Sequence, residues 1–188
     1  LVQAMQDDRI AADPVIVISN VADAKGLERA AEMGVPTEVV DSKKLKPRAE
    51  HERRIIEVLK DHRVDLVCLA GYMRLLTPVM VEAFRQRIFN IHPSILPSFP
   101  GLPSQQQALD YGVKVSGCTV HVVDEECDHG PIIAQATVPV LDDDTADSLA
   151  ERILEQEHRI YAEAVRLFFE GRLRIEARRV LVSAASTS

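Results

Sequence analysis

The segment PVIVISNVADAKGLERAAEMGVPTEVV, residues 14 to 40, contains one complete strand, helix and strand unit. Residues 14 to 20 form a β-branched apolar run that predicts a buried strand. Residues 25 to 34 have the apolar spacing of a helix that ends at Gly34, and residues 36 to 40 predict a second strand. Because strands that are joined through a helix pair in parallel, this segment predicts an α/β fold.

The same alternation of elements continues along the chain. Residues 47 to 62 predict a charged amphipathic helix, and VDLVCLAG at 64 to 71 predicts a central strand. A further strand over residues 88 to 91 is followed by a loop with four prolines and a short helix at 104 to 112. The amino-terminal part therefore predicts a mainly parallel, twisted sheet with helices on both faces.

The carboxyl-terminal part has a different pattern. Residues 113 to 124 alternate like a half-exposed strand, and residues 131 to 140 predict an antiparallel partner for it. A long helix begins at a cap formed by Asp144 or Thr145 and runs to about residue 170, and residues 180 to 188 are expected to be a loose tail. We predict one α/β domain, Rossmann-related, with antiparallel strands at its carboxyl end.

Composition excludes several classes of function. The 188 residues carry a net charge of −7 with no basic cluster, which argues against nucleic acid as a partner. No apolar stretch approaches the ~20 residues of a membrane span. Three cysteines without paired spacing indicate reduced thiols and a cytoplasmic protein. Small-molecule substrates are expected, and the sequence leaves open whether the protein is a monomer or a homodimer.

Asn90 and His92 form the most informative pair of polar residues. They lie two positions apart at the carboxyl end of a predicted strand, so their side chains share one face. Ligands of open α/β sheets bind at this end of the strands. An isolated histidine or asparagine there is usually a structural group, but an amide donor next to an imidazole also suits acyl transfer, where it stabilises an oxyanion.

Asp128 is the second candidate, in the stretch EECDHGP between two predicted strands. If Asp128 folds over His92, its carboxylate stabilises the imidazolium, and the pair can move a proton. No nucleophilic side chain is then required, and no GxSxG motif occurs. Acidic neighbours are expected to raise the pKa of Cys127, which makes its thiol a poor nucleophile.

The remaining polar residues are candidates for a metal site and for a ligand pocket. His92, His121, His129 and Asp128 lack the short ligand spacings of zinc sites, so no metal is predicted. Glu157 interrupts the apolar stripe of the last helix, where a buried acid needs either a structural partner or a ligand.

AGYMRLL, residues 70 to 76, follows the central strand and reaches the same edge of the sheet as Asn90. Its apolar side chains suit either a slot for a flat ring or plain core packing.

Several segments together resemble the glycinamide ribonucleotide formyltransferase family in order and spacing: AGYMRLL, FNIHPSILPSFPGL, QALDYG, VSGCTVHVVDEECDHGPIIAQATVPV and EQEHRIY. The resemblance implies formyl transfer from 10-formyltetrahydrofolate to the amine of 5′-phosphoribosylglycinamide in purine biosynthesis, without a metal.

The resemblance also implies residue roles. Asn90, His92 and Asp128 match the catalytic triplet, and Pro93 and Glu157 match substrate-binding positions, Glu157 toward the ribose hydroxyls. The folate pocket is implied at Met73, Arg74, Leu75, Leu76, Val123, Asp124, Glu125, Glu126 and Cys127, with Arg48 as partner of the glutamate tail.

Two features depart from the family pattern. The chain begins apparently just after the place of the first strand and the phosphate-binding glycine-rich loop. Pro103 stands where members of the family often have histidine.

The nearest alternative function is a formyltetrahydrofolate hydrolase, and a non-catalytic folate- or nucleotide-binding relative is a third possibility. A methionyl-tRNA formyltransferase would be longer and more basic.

Overall fold

The computed structural model describes residues 1 to 185. The helices are α1 (Val2–Gln6), α2 (Lys25–Glu32), α3 (Arg48–Asp61), α4 (Pro78–Ala83), α5 (Ser104–Tyr111) and α6 (Ala146–Phe169). The strands are β1 (Val17–Ser19), β2 (Thr37–Val39), β3 (Val67–Leu69), β4 (Ile88–His92), β5 (Val115–Val122), β6 (Ile132–Pro139), β7 (Leu173–Glu176) and β8 (Arg179–Val182).

The predicted α/β class is confirmed by the pairing of these strands. β1 pairs with β2 in parallel, and the larger sheet has the order β3-β4-β5-β6-β8-β7. β3 and β4 are parallel, whereas β5 is antiparallel to both β4 and β6, as expected for the carboxyl-terminal part. The carboxyl ends of β3 and β4 therefore lie at the same end of the sheet, whereas the connection that leaves β5 begins beside Ile88, at the amino end of β4.

Two hydrophobic clusters cover the two faces of the sheet. Ile88 packs into one cluster with residues of α3 and α4, and its neighbour Phe89 packs into the other with residues of α5 and α6. Adjacent strand residues point to opposite faces, so helices cover the sheet on both sides, as predicted.

Helix α6 packs on the face of the sheet that contains Phe89, and its residues contact several strands. Thr145 caps the helix: its hydroxyl accepts from the Ser148 amide at 3.2 Å, which satisfies a backbone donor of the first turn. Farther along, the Tyr161 hydroxyl lies 2.8 Å from the Leu69 carbonyl and 3.0 Å from the Phe89 carbonyl. Because Glu157 is four residues before Tyr161, the same face of the helix presents it near the strand ends.

Two sequence predictions are wrong in this part of the chain. Strand β5 is not half-exposed: its residues after Val115 are all buried, because β4 and β6 flank it and α6 covers one face. Residues 180 to 182 are not a tail but part of β8, which pairs with β7. Residues 186 to 188 of the predicted tail lie outside the described part of the chain.

None of the helices found in residues 1 to 185 is long and apolar enough to cross a membrane.

Candidate active site

Four polar side chains meet where β4 and β5 run side by side, and we call them the strand-end cluster: Asn90, His92, His121 and Asp128. Asn90 lies directly opposite His121 in the antiparallel pairing of β4 and β5. The Asn90 amide nitrogen is 3.3 Å from Nε2 of His121. Asp128 approaches both histidines from the connection between β5 and β6.

His92 is buried, and each of its ring nitrogens faces an oxygen. Nε2 lies 2.9 Å from the Phe99 carbonyl, and Nδ1 lies 3.3 Å from Oδ2 of Asp128. A carbonyl and a carboxylate can only accept, so an imidazolium satisfies both neighbours and a neutral ring satisfies one. The contact confirms the expected approach of Asp128 to His92, while their catalytic roles stay a prediction.

Asp128 is held in place before any ligand binds. Its side chain is 11% exposed, and Oδ2 accepts a hydrogen bond of 2.8 Å from the Gly101 amide. That amide belongs to the proline-rich loop after β4, so the loop also orients the acid. Asp128 itself has a φ of +50°, a conformation that aspartate tolerates better than most residues.

His121 is a member of the cluster that the alternating pattern did not single out. Burial lowers the pKa of His121, which favours the neutral ring. Its Nδ1 lies 3.1 Å from the Val122 carbonyl and must carry the proton, so Nε2 accepts from the Asn90 amide. The second amide hydrogen of Asn90 is left for another acceptor. Only the strand register could have revealed this pair in advance.

The cluster combines the groups that acyl transfer to an amine requires. Asn90 has an amide hydrogen for a developing oxyanion, His92 has an imidazole that can donate next to it, and Asp128 is a carboxylate able to take and return a proton. Among residues 1 to 185, no group of three or more His, Cys, Asp or Glu side chains is placed to hold a metal ion. Burial and the Asp128 charge raise the pKa of Cys127, in the predicted direction.

A cavity of about 450 Å³ has Pro93, the residue that follows His92 in the chain, as part of its wall. We call it the Pro93–Glu157 cavity. Helix α6 lines the opposite side with Leu154 and Glu157, and α5 contributes Gln105. Burial raises the pKa of Glu157, which indicates a carboxylate that has lost water without gaining a partner. Both predicted substrate-binding residues thus face one space.

The predicted folate residues occupy two loops, one after β3 and one after β5. Met73 to Leu76 follow β3, where Met73 and Leu75 are exposed, and Leu76 packs on the cluster that contains Ile88. Val123 packs on that same cluster. Arg48, for which contact with a ligand carboxylate stays a prediction, donates a hydrogen bond of 3.0 Å to the Leu75 carbonyl through Nη1.

The second loop leads from Val123 to Asp128. The Val123 amide bonds the Ile88 carbonyl at 2.8 Å, and Asp124 accepts from the Glu126 amide and contacts the His129 ring. Glu125, Glu126 and Cys127 are exposed at the tip of the loop. Pro103 immediately precedes α5, whose first hydroxyl, that of Ser104, donates to the Pro93 carbonyl.

Comparisons with known proteins identify the family to which the chain is similar. The family model described as formyl transferase matches residues 1 to 165. The chain is 39% identical over 175 residues to phosphoribosylglycinamide formyltransferase of Escherichia coli, covering 93% of the chain and 82% of that protein. The crystal structure of glycinamide ribonucleotide transformylase 1 from Symbiobacterium toebii superposes with a TM-score of 0.95 at 54% identity, over 96% of this chain and 85% of that one.

Two further relatives differ in length or in name. The trifunctional purine biosynthetic protein adenosine-3 of Drosophila melanogaster is 47% identical over 173 residues, 91% of this chain, but the chain spans only 13% of its length. A formyltetrahydrofolate deformylase from Pseudomonas syringae pv. tomato is 30% identical with a TM-score of 0.87, over 96% of this chain and 59% of that one.

Proposed function

The chain belongs to the formyl transferase family, and we propose that it transfers the formyl group of 10-formyltetrahydrofolate to the amine of 5′-phosphoribosylglycinamide in purine biosynthesis. One observation carries the proposal. The His92–Asp128 pair has its nitrogen and oxygen 3.3 Å apart, and the next residue, Pro93, lines a cavity together with Glu157, which has no ion-pair partner in residues 1 to 185. A proton-transfer pair beside a polar cavity suits an acceptor substrate that carries both an amine and hydroxyl groups.

The proposed reaction proceeds through a tetrahedral intermediate. The amine attacks the formyl carbon, and the carbonyl oxygen becomes an oxyanion that the free amide hydrogen of Asn90 and the charge of His92 stabilise. Asp128 takes a proton from the attacking nitrogen. The bond from the formyl carbon to the folate nitrogen then breaks, and a proton is returned to that nitrogen. Hydrogen bonds and proton transfer supply all of these steps.

The acceptor is proposed to lie in the Pro93–Glu157 cavity. An ionised Glu157 accepts hydrogen bonds from ribose hydroxyls, and such charge-assisted bonds replace the water that burial has removed. The cavity opens next to His92, because Pro93 is the following residue. The reacting amine is thereby brought toward the strand-end cluster while the sugar is held by α6.

The folate donor is proposed to lie between the loops at 73 to 76 and 123 to 127, with Arg48 near its glutamate tail. Leu76, in the loop after β3, and Val123, in the loop after β5, pack on one hydrophobic cluster, which supports a shared pocket for a flat ring. We also propose a cytoplasmic location, because the three cysteines are free thiols, and a monomer or homodimer as the working form.

Hydrolysis of the folate donor is the second candidate function, because the deformylase from Pseudomonas syringae is 30% identical to this chain. In that reaction water takes the place of the amine. The Pro93–Glu157 cavity favours transfer, since water as an acceptor does not need a site of about 450 Å³ with a carboxylate in its wall.

A single-turnover experiment separates these functions. Purified protein is mixed with 10-formyltetrahydrofolate, with and without phosphoribosylglycinamide, while folate absorbance is followed. Release of tetrahydrofolate that requires the amine is expected. Release without the amine indicates hydrolysis, and no release indicates binding alone. The variant His92→Ala should abolish transfer while folate affinity stays within about tenfold, because the imidazole acts mainly in the transition state.

A further inference from the structure

The carboxyl-terminal hairpin, formed by β7 and β8, contacts the loop that carries Asp128. The hairpin lies beyond residue 165, where the family match ends. Its turn brings Arg178 against His129, the residue that follows Asp128. We call residues 123 to 130 the Asp128 loop. Its closing residue Gly130 is tightly packed, because a Cβ atom there would lie 1.7 Å from the Val122 carbonyl oxygen.

Arg178 binds His129 through both the backbone and the ring. Its Nη2 donates to the His129 carbonyl at 2.5 Å, and its Nη1 lies 2.9 Å from Nε2 of the imidazole. A guanidinium can only donate, so Nε2 must be the unprotonated nitrogen of the ring. Nδ1 then carries the proton and donates to Oδ2 of Asp124 at 2.8 Å.

His129 therefore joins the hairpin to the start of the Asp128 loop. Arg178 contacts the His129 ring, and the ring contacts Asp124, five residues before His129. These contacts join the two ends of the loop. On the inner side the Gly101 amide holds the Asp128 carboxylate. The peptide of Asp128, which has a positive φ, is thus fixed from both sides.

We propose that Arg178 is a positioning residue, which acts through His129 to fix the backbone of the Asp128 loop and so the distance between Asp128 and His92. The inference rests on the proposed role of Asp128 in proton transfer. His129 is 44% exposed, and exposed contacts of this kind add little stability. The expected effect is on geometry, because small displacements of a catalytic group reduce its rate contribution strongly.

The test compares three variants of the full chain. Arg178→Ala should lower kcat about tenfold while KM for each substrate stays within about twofold. Arg178→Lys keeps one charged donor and should recover most of that loss. The matched control is Arg174→Ala on the same hairpin, whose ion pair of 2.7 Å is with Glu176, and this variant should leave kcat unchanged.

Hydrogen exchange of the amides in residues 123 to 130 makes the result independent of activity. Exchange should be faster in Arg178→Ala than in the wild type and in Arg174→Ala. One outcome is that the wild type does not transfer formyl groups while exchange is still faster in Arg178→Ala. In that case the proposed function is wrong, and the role of Arg178 in fixing the Asp128 loop is supported. Unchanged kcat and unchanged exchange in Arg178→Ala, or equal losses in Arg174→Ala, would overturn the inference. If Arg178→Ala does not fold, His129→Ala, which removes the ring that Arg178 contacts, provides the same two measurements.

Discussion

Asp128 contacts His92 and Glu157 lines a cavity with Pro93, and the protein surrounds these two carboxylates differently. Asp128 has a backbone donor at 2.8 Å and an imidazole at 3.3 Å. Glu157 has no ion-pair partner in residues 1 to 185, and burial alone raises its pKa. The contrast supports the two proposed roles: proton transfer for Asp128, which has protein partners, and ligand binding for Glu157. Three substitutions test this contrast.

The largest effect is expected at Asp128. In Asp128→Asn the carboxylate can neither take a proton nor balance the imidazolium, so kcat should fall about 10³-fold with KM for the ribonucleotide within about threefold. Steady-state kinetics at saturating folate measure this split. Asp142→Asn, a change at a carboxylate 91% exposed to solvent, is the control and should retain the wild-type rate. A loss of less than tenfold in Asp128→Asn would contradict the proposed proton transfer.

Glu52 tests whether hydrogen-bond partners within the protein are enough to identify an acid as catalytic. It is completely buried in α3 and accepts hydrogen bonds of 3.0 and 3.1 Å from the Thr77 amide. Glu52→Ala leaves that amide without its acceptor and should reduce the free energy of unfolding by about 3 kcal/mol, measured by urea denaturation. Glu57→Ala on the same helix, at an exposed site, should change it by less than about 0.5 kcal/mol.

The activity of Glu52→Ala decides what that result means. Glu52 has protein partners like Asp128 but contacts no member of the strand-end cluster, so kcat per folded molecule should stay within about threefold of wild type. A loss comparable to that of Asp128→Asn would break the distinction between the acids.

Glu157→Gln should show the opposite kinetic pattern from Asp128→Asn. The amide keeps the size of the side chain but weakens the charge-assisted bonds to hydroxyl groups, so KM for the ribonucleotide should rise about tenfold with little change in kcat. Kinetics with the ribonucleotide varied at saturating folate measure it. A large fall in kcat without a change in KM would place Glu157 in the chemistry instead of in binding.

The smallest effect concerns pH and stability. Burial raises the pKa of Glu157, so between its pKa in the unfolded state and its pKa in the folded state only the folded protein holds this proton. The contribution of Glu157 to stability therefore falls as pH rises through this range. The Tm of Glu157→Gln should therefore exceed that of the wild type at neutral pH by about 2 °C or less, because the side chain is partly exposed. At pH 4 the two Tm values should be equal. A lower Tm at neutral pH would mean that a protein group already pairs with Glu157.

Local patterns were sufficient for most elements near the site. The βαβ unit at 14 to 40, helix α3, strand β6 and the Thr145 cap follow from apolar periodicity and capping residues. Asn90 and His92 could be singled out because a strand end is recognisable from β-branched residues that stop at a proline. The hairpin of β7 and β8 carries charged residues between short apolar pairs, so its strands have no clear local signal.

Sequence alone determined the α/β class, the placement of Asn90 and His92 at a strand end, and the oddity of an acid at position 157, because each depends on neighbours within a few residues. Tertiary structure decided which side chains meet. Strand register places His121 opposite Asn90, and Arg48 donates to a backbone carbonyl. Arg178 contacts His129, which is 49 residues away in the sequence. Such contacts depend on how separate elements pack, which no local periodicity encodes.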